Sequence, residues 1–472
     1  MNTRPRVHLR SIAVVALVAA ACAPAAAGQS TSQTPSRPPL TFADASGRML
    51  SSHQSLQAAD KERDQREEER KAARSLYWPK VEGEARYTRI DRPIELDLNP
   101  IRDVILMLHP QVPASKIPAF VEPVLDQSFW RAEITATWPI FTGGKVTAAN
   151  RAAEARVKDV EHQRQLTEEA LSSELVRRYF GLRLAMSARD VRTQVLAGLD
   201  QHLHDATRLE EEGLISRAER LHAEVARADA DRQLKRAGQD VEIARAGLAN
   251  ILSMDEAGEP VSPLFLLADV ESLEAFTEHA RAHHPAFGRF AAQHDLAAQA
   301  VKAEKGRWLP DVYLFGMREL HTDDITVLDP KWAAGIGATL TLFDGFDRSH
   351  KMAAAKIQQL RVTDLEDRAR RDIATLVEKR YRELAKAKEQ FGALKTALEL
   401  GQENLRVRTR AFEEGMATSL EVVDARLSLS RVELERLAAA YDFDVALADL
   451  LEASGQSDRF EQLRAAGTSI ER

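Results

Sequence analysis

Apolar and polar positions alternate in four short stretches of the chain and recur at helical spacing over two very long ones. From Trp130 to Trp138 one face reads Trp, Ala, Ile, Ala, Trp and the other Arg, Glu, Thr, Thr, the two-residue period of a strand with one apolar and one polar surface. Lys80 to Ile90 alternates in the same way, with Val81, Ala85 and Tyr87 opposite Glu82, Glu84, Arg86 and Thr88. Trp332 to Phe343 sets Trp332, Ala334, Ile336, Ala338, Leu340 and Leu342 on one face, and Asp311 to Leu320 is a fourth, less regular stretch. Strands are therefore expected at about 80–90, 129–138, 311–320 and 332–343.

Prolines delimit the helices. Thirteen of the eighteen lie at or before Pro139, and none falls between Pro139 and Pro260 or after Pro330. The proline-free windows, about 144–253 and 346–453, are rich in Ala, Leu, Glu, Arg and Gln, all good helix formers. Each runs for about 70 residues, or about 100 Å of helix, before Gly213 or Gly415 punctuates it. Helices of that length have to lie against one another as a coiled coil or elongated barrel. After Gly415, Leu420, Val423, Leu427, Ser430, Leu434, Leu437 and Tyr441 form a heptad seam interrupted by Ser430.

A shift of 202 positions carries Trp130 onto Trp332, Phe141 onto Phe343, Gly143 onto Gly345, Tyr179 onto Tyr381, Gly213 onto Gly415 and Glu219 onto Glu421. One ungapped offset over so long a stretch marks a duplication. Upstream, Pro79 matches Pro310 at an offset of 231, so the first copy carries 29 extra residues between Pro79 and Trp130. Residues 91–128, which hold six of the prolines, read as an inserted loop. The organisation is then a first repeat over 42–253, a linker and equatorial segment over 254–285, the remainder of the second repeat over 286–453, and an irregular tail over 454–472.

Composition narrows the function. With 72 acidic and 65 basic residues in 472, the net charge is −7, and no basic cluster suits nucleic acid. Beyond the N-terminus no apolar run is long enough for a membrane-spanning helix. Arg4, Arg6 and Arg10 precede an apolar stretch from Ile12 to Ala21 and then Ala25-Ala26-Ala27, the layout of an export signal over 1–27; residues 28–41 read as a flexible leader. The single cysteine, Cys22, follows Ala19-Ala20-Ala21, a degenerate lipoprotein box, and is either acylated or discarded with the signal. No thiolate metal site or internal disulfide is available to the chain. His202 with His204, and His283 with His284, are poorly spaced for shared metal ligation. Phosphate-loop, serine-nucleophile and zinc-protease motifs are missing from the sequence, so an enzyme is not expected, and neither is a cofactor.

All five tryptophans, Trp78, Trp130, Trp138, Trp308 and Trp332, sit at or beside expected strand ends. That is the placement of an aromatic girdle at lipid headgroups; a soluble sheet with packing tryptophans is the alternative. Four strands cannot close an outer-membrane barrel, which begins at about eight. Oligomerisation is required, two chains supplying eight strands and three supplying twelve.

The doubled order of helix, strands and long punctuated helices after an export signal resembles the TolC-like outer membrane efflux protein family. Trp138-Pro-Ile-Phe-Thr-Gly-Gly-Lys145 and Leu340-Thr-Leu-Phe-Asp-Gly-Phe-Asp347 are similar to that family's strand-to-helix joints, with Phe141, Gly143, Phe343 and Gly345 at the shared positions. Phe412 to Arg426 resembles its periplasmic tip motif, with Glu211 to Ala223 as the first-repeat counterpart. The resemblance spans about residues 40–455. It implies a mainly α protein with a small antiparallel β part: a homotrimer whose 12-stranded outer-membrane β-barrel continues into a periplasmic α-helical coiled-coil barrel. It implies outer-membrane lipid, a periplasmic adaptor and an inner-membrane transporter as partners. It also implies that Glu421 and Asp424, three apart on one helix, line the periplasmic aperture, and that Gly213 and Gly415 make the tip turns. Alone, two such acids are ordinarily a solvated face. The chain departs from the family where an aromatic hydroxyl and an arginine hydrogen-bond an acid to hold the aperture shut: Phe412 and Ala417 stand there, opposite Glu219. Arg217, Arg220 or Arg426 is the expected replacement, pairing with Glu219, Glu421 or Asp424. The competing class is an exported periplasmic coiled-coil structural or adaptor protein without a pore.

Overall fold

The computed structural model describes residues 37–322 and 330–470; the export signal and Cys22 lie outside them. In chain order the elements are β1 (Pro39–Leu40), α1 (Phe42–Ser52), α2 (Gln54–Ser75), β2 (Lys80–Arg89), β3 (Ile94–Asp97), α3 (Asn99–Leu108), β4 (Val121–Leu125), β5 (Ser128–Phe141), α4 (Lys145–Glu211) and α5 (Arg217–Ile251). They continue as β6 (Glu259–Pro260), β7 (Phe265–Leu266), α6 (Leu273–His283), α7 (Pro285–Gly306), β8 (Asp311–Thr322), β9 (Trp332–Thr339), α8 (Asp347–Glu413), α9 (Ser419–Ser454), α10 (Phe460–Ala466) and β10 (Thr468–Ser469).

The duplication is exact for the helices that flank the strands. A shift of 202 carries the 67 residues of α4 onto the 67 of α8, each about 100 Å long. A shift of 231 carries α1 onto α6 and α2 onto α7, so the short helices before the strands are duplicated as well. β2, β5, β8 and β9 form one antiparallel sheet in that order. All four of its helical connections leave from the end where Lys80 faces Thr137 and Asp311 faces Thr339.

The main core lies partway along the long helices. Phe42, Tyr179, Phe180, Phe265, Phe443 and Phe460 pack together there, with Phe42 and Phe180 stacked at 5.6 Å. The Tyr179 hydroxyl donates to Leu40 O at 2.6 Å and accepts from Ser262 N at 3.0 Å, tying the start of the described chain and the linker to α4.

Four sequence expectations change. The leader over 28–41 ends in structure, because Pro39–Leu40 pairs in parallel with Glu259–Pro260. The insert over 91–128 is more than a loop: β3 and β4 form an antiparallel pair, and between them in the chain runs α3, whose Pro100 at the helix start is compatible with helix. The tail over 454–472 is ordered through Ile470, because Phe460 is buried in the core and β10 pairs with β7. β9 also stops at Thr339, opposite Asp311; the next residue on that neighbour, Pro310, has no N–H to extend the ladder.

Candidate functional site: the sheet faces and the helical tip

The register assigns each strand residue to a face. Val81, Gly83, Ala85 and Tyr87 stand opposite Ala136, Ile134, Ala132 and Trp130, while Trp138 aligns with Leu314 and Leu314 with Ile336. This face is apolar apart from Arg318, which stands opposite Ile134 and Trp332, and it is solvent-exposed in the single chain. The other face carries Glu82, Glu84, Arg86, Arg131, Glu133, Thr135 and Glu319, with Arg131 and Glu319 paired at 3.9 Å. Tyr87 and Trp130 pack at 5.3 Å at the end of the sheet far from the helices; Trp78, Trp138 and Trp308 lie at the near end. Trp130 to Trp138 spans about 27 Å of strand at about 3.4 Å per residue, on the order of the about 25 Å apolar band of an outer-membrane barrel.

At the strand-to-helix joints, Gly143 and Gly345 have φ of +60° and +64°. A Cβ at Gly143 would collide with the backbone of Gly306, whereas Gly345 has open space around it. Gly143 therefore has two reasons to be glycine and Gly345 one. Phe343 is exposed and its ring packs edge-on at 5.9 Å against Phe346; Phe141 is exposed as well.

The opposite end of the molecule is the pair of helix-to-helix turns. Gly213 and Gly415 adopt φ of +73° and +71°. Leu214 N donates to Leu209 O at 2.8 Å and Met416 N to Ala411 O at 2.7 Å, the six-to-one bond of a Schellman cap. The following helices differ. Thr418 and Glu421 form a capping box on α9, with Thr418 N donating to Glu421 Oε2 at 2.9 Å. The equivalent Ser216 makes no side-chain cap on α5.

Glu421 is also paired across the turn, its Oε1 lying 2.9 Å from Arg408 Nη1. The Thr418 backbone N–H, and then the Arg408 charge, hold its carboxyl below the usual range. Asp424 is exposed and Glu219 half-buried, and neither is paired with Arg217, Arg220 or Arg426. Arg220 instead binds Glu210 at 2.5 Å and Glu224 at 2.7 Å. Arg217 forms no ion pair among the described residues, and Arg426 is partly buried in a helix seam that lowers its pKa. The expected replacement pairs do not form within the chain: Arg220 is taken up by acids of its own hairpin, and Arg426 lies in a helix seam against Gly198. Arg408 was missed by sequence reasoning; its signal was an opposite charge at nearly the same distance from Gly415 as Glu421, where the two arms of a helical hairpin meet.

Phe412 is 2% exposed, packed with Ala206, Leu209, Ala223 and Val422; Ala417 lies beside that cluster. The histidines separate: His202 is buried, His204 is exposed, His283 stacks on His279 at 4.6 Å, and His284 caps α7. No cluster of three metal-ligating side chains occurs among the described residues.

An open sheet, apolar on one face and polar on the other, carried on helices about 100 Å long, defines a subunit of an outer-membrane efflux or secretion channel. Residues 45–253 and 277–456 match the family described as outer membrane efflux protein, and the chain belongs to that family. Protein CyaE of Bordetella pertussis is 27% identical over 341 residues, covering 69% of this chain and 70% of that one. Among solved structures, the Campylobacter jejuni CmeC outer membrane channel superposes with a TM-score of 0.70 at 14% identity, covering 90% of this chain and 89% of that one. The open state of the Neisseria gonorrhoeae MtrE outer membrane channel gives 0.70 at 18% identity, covering 88% and 89%.

Proposed function

We propose that three copies of the chain assemble into a 12-stranded barrel in the outer membrane, continued into the periplasm by their long helices, and passively conduct substrates delivered by an inner-membrane transporter through a periplasmic adaptor. The observation that carries this reading is the four-stranded sheet with β2 and β9 as its edges. Unpaired edges and an exposed apolar face are costly in a lone chain and are resolved together by closure with further copies. Polar strand faces then line water, and solutes cross without meeting hydrocarbon.

At the periplasmic end, Glu421 and Asp424 of three chains supply six carboxylates to the aperture, with Glu219 beside them. A carboxylate ring favours cations and resists narrowing by mutual repulsion unless its charges are paired; the Arg408 contact offsets part of that repulsion at Glu421. Single-channel conductance of the purified protein in planar bilayers tests the reading, with Glu421→Ala and Asp424→Ala beside the parent. The expected result is a cation-selective pore whose selectivity falls in both variants. Pore activity indifferent to both removes the aperture assignment, and no pore from a folded trimer removes the channel.

A further inference from the structure

One buried histidine joins the two repeats at the tip. His202, on α4, is 5% exposed, and its Nε2 lies 2.8 Å from the hydroxyl oxygen of Ser419, the fully buried first residue of α9. The imidazole also packs 4.6 Å from the ring of Phe412 in the last turn of α8. One turn earlier on α4, the Arg426 guanidinium fills the space that a side chain at Gly198 would occupy. Arg426 Nε has no hydrogen-bond partner among the described residues. A single stripe of α4, Gly198, His202 and Ala206, therefore receives Arg426 and Ser419 from α9 and the Phe412 cluster from α8.

We propose that His202 and Ser419 form a latch that positions the second-repeat helical hairpin against the first, and so sets the resting width of the periplasmic aperture. The proposal rests on the channel reading above. The bond is directional and surrounded by apolar contacts, so sliding α9 past α4 leaves two buried polar groups unpaired. Such a contact favours one register over its neighbours. The charged groups acting on His202 are Arg426 on α9, which opposes protonation, and Asp205 on its own helix, which favours it; α8 presents the uncharged Phe412 ring. Burial and Arg426 together lower the histidine pKa. The site therefore favours the neutral imidazole: protonation places a charge in a buried position beside Arg426, and the register held by the latch loses stability as pH falls below the ordinary histidine range.

Single-channel recording of the purified full chain in planar bilayers at pH 7.5 and 5.5 tests this with His202→Gln, His202→Ala and Ser419→Ala. The parent should open more at pH 5.5. His202→Ala and Ser419→Ala should raise open probability at pH 7.5 by about fivefold, the order expected for one buried hydrogen bond. His202→Gln, whose amide can bond Ser419 but cannot titrate, should keep the parent behaviour at pH 7.5 and lose the response to acid. If an alanine variant fails to assemble, the glutamine variant decides. Parent-like acid response in His202→Gln, or parent-like opening in an assembled Ser419→Ala, overturns the latch alone. A parent chain that forms no pore overturns the channel reading beneath it.

Discussion

Asp449 of α9 is held by Arg177 of α4, with Oδ1 and Nη2 2.6 Å apart. Its other oxygen lies 3.0 Å from Arg380 of α8, and the Ser173 hydroxyl donates to Oδ1 at 2.9 Å. One carboxylate thus joins the long helices of both repeats near the core. Removing a buried partner from an ion pair typically costs about 3–5 kcal/mol. Because both arginines remain partly hydrated, Asp449→Ala should cost less, about 2–3 kcal/mol. The measurement is the heat-dissociation midpoint of the detergent-solubilised oligomer; an unchanged midpoint would show that the clasp contributes little.

The two joint glycines give a paired comparison. Gly345→Ala meets only the backbone penalty of a left-handed residue, about 1–2 kcal/mol, since nothing lies within 4 Å of the added carbon. Gly143→Ala meets that penalty and the backbone of Gly306. Assembled oligomer should therefore fall substantially further for Gly143→Ala than for Gly345→Ala when membrane yields are compared. Equal losses would mean that the close approach to Gly306 relaxes without cost.

Much of this fold was legible because it repeats. The offset of 202 tied α4 to α8 through Phe141, Gly143, Tyr179 and Gly213, and the proline-free windows bounded the long helices. The earlier duplication, α1 and α2 against α6 and α7, was harder to see: beyond Pro79 and Pro310 its marks at the same offset are scattered, chiefly His53 and His284, which cap α2 and α7. β8 was hard to read for a different reason. The face it shares with Thr135 and Thr137 carries Tyr313 and Phe315 over Gly337 and Gly335, so aromatic rings filling space above glycines replace the polar half of the alternation. At the tip, sequence spacing placed Glu421 on a face but did not show that one carboxylate caps a helix and binds Arg408. Those contacts depend on how the hairpin folds back.

The Glu421 contacts predict a local acid response. Its folded pKa is depressed by the Thr418 N–H and Arg408, so its contribution is present above the unfolded value and is lost as pH falls through the folded one. Hydrogen-exchange protection of the first turn of α9, relative to the unstructured rate at each pH, should fall below about pH 4.5, the ordinary value for this side chain. Glu421→Gln, which keeps an acceptor for the Thr418 N–H but no charge for Arg408, should weaken protection less than Glu421→Ala, which removes both, because the backbone N–H is the larger cause. Equal losses would make the ion pair, rather than the capping box, the principal support.

Asp444 gives the opposite pH dependence. It is fully buried on α9, and neither carboxyl oxygen has a hydrogen-bond partner among the described residues. Burial pushes its pKa well above the usual carboxylate range, against smaller opposing pulls from the Phe265 backbone and Arg464. A carboxyl that is neutral when folded and ionised when unfolded costs stability as pH rises from the unfolded pKa towards the folded one. Asp444→Asn, which cannot ionise, should therefore stabilise the protein at pH 7–8 and have little effect near pH 4. The gain should be about 1–3 kcal/mol, the order of one to two pH units of such linkage. Thermal or denaturant midpoints of parent and variant across that range check it: a variant that is less stable at pH 8 and parent-like at pH 4 would show that the ionised carboxylate is tolerated and paired in the fold.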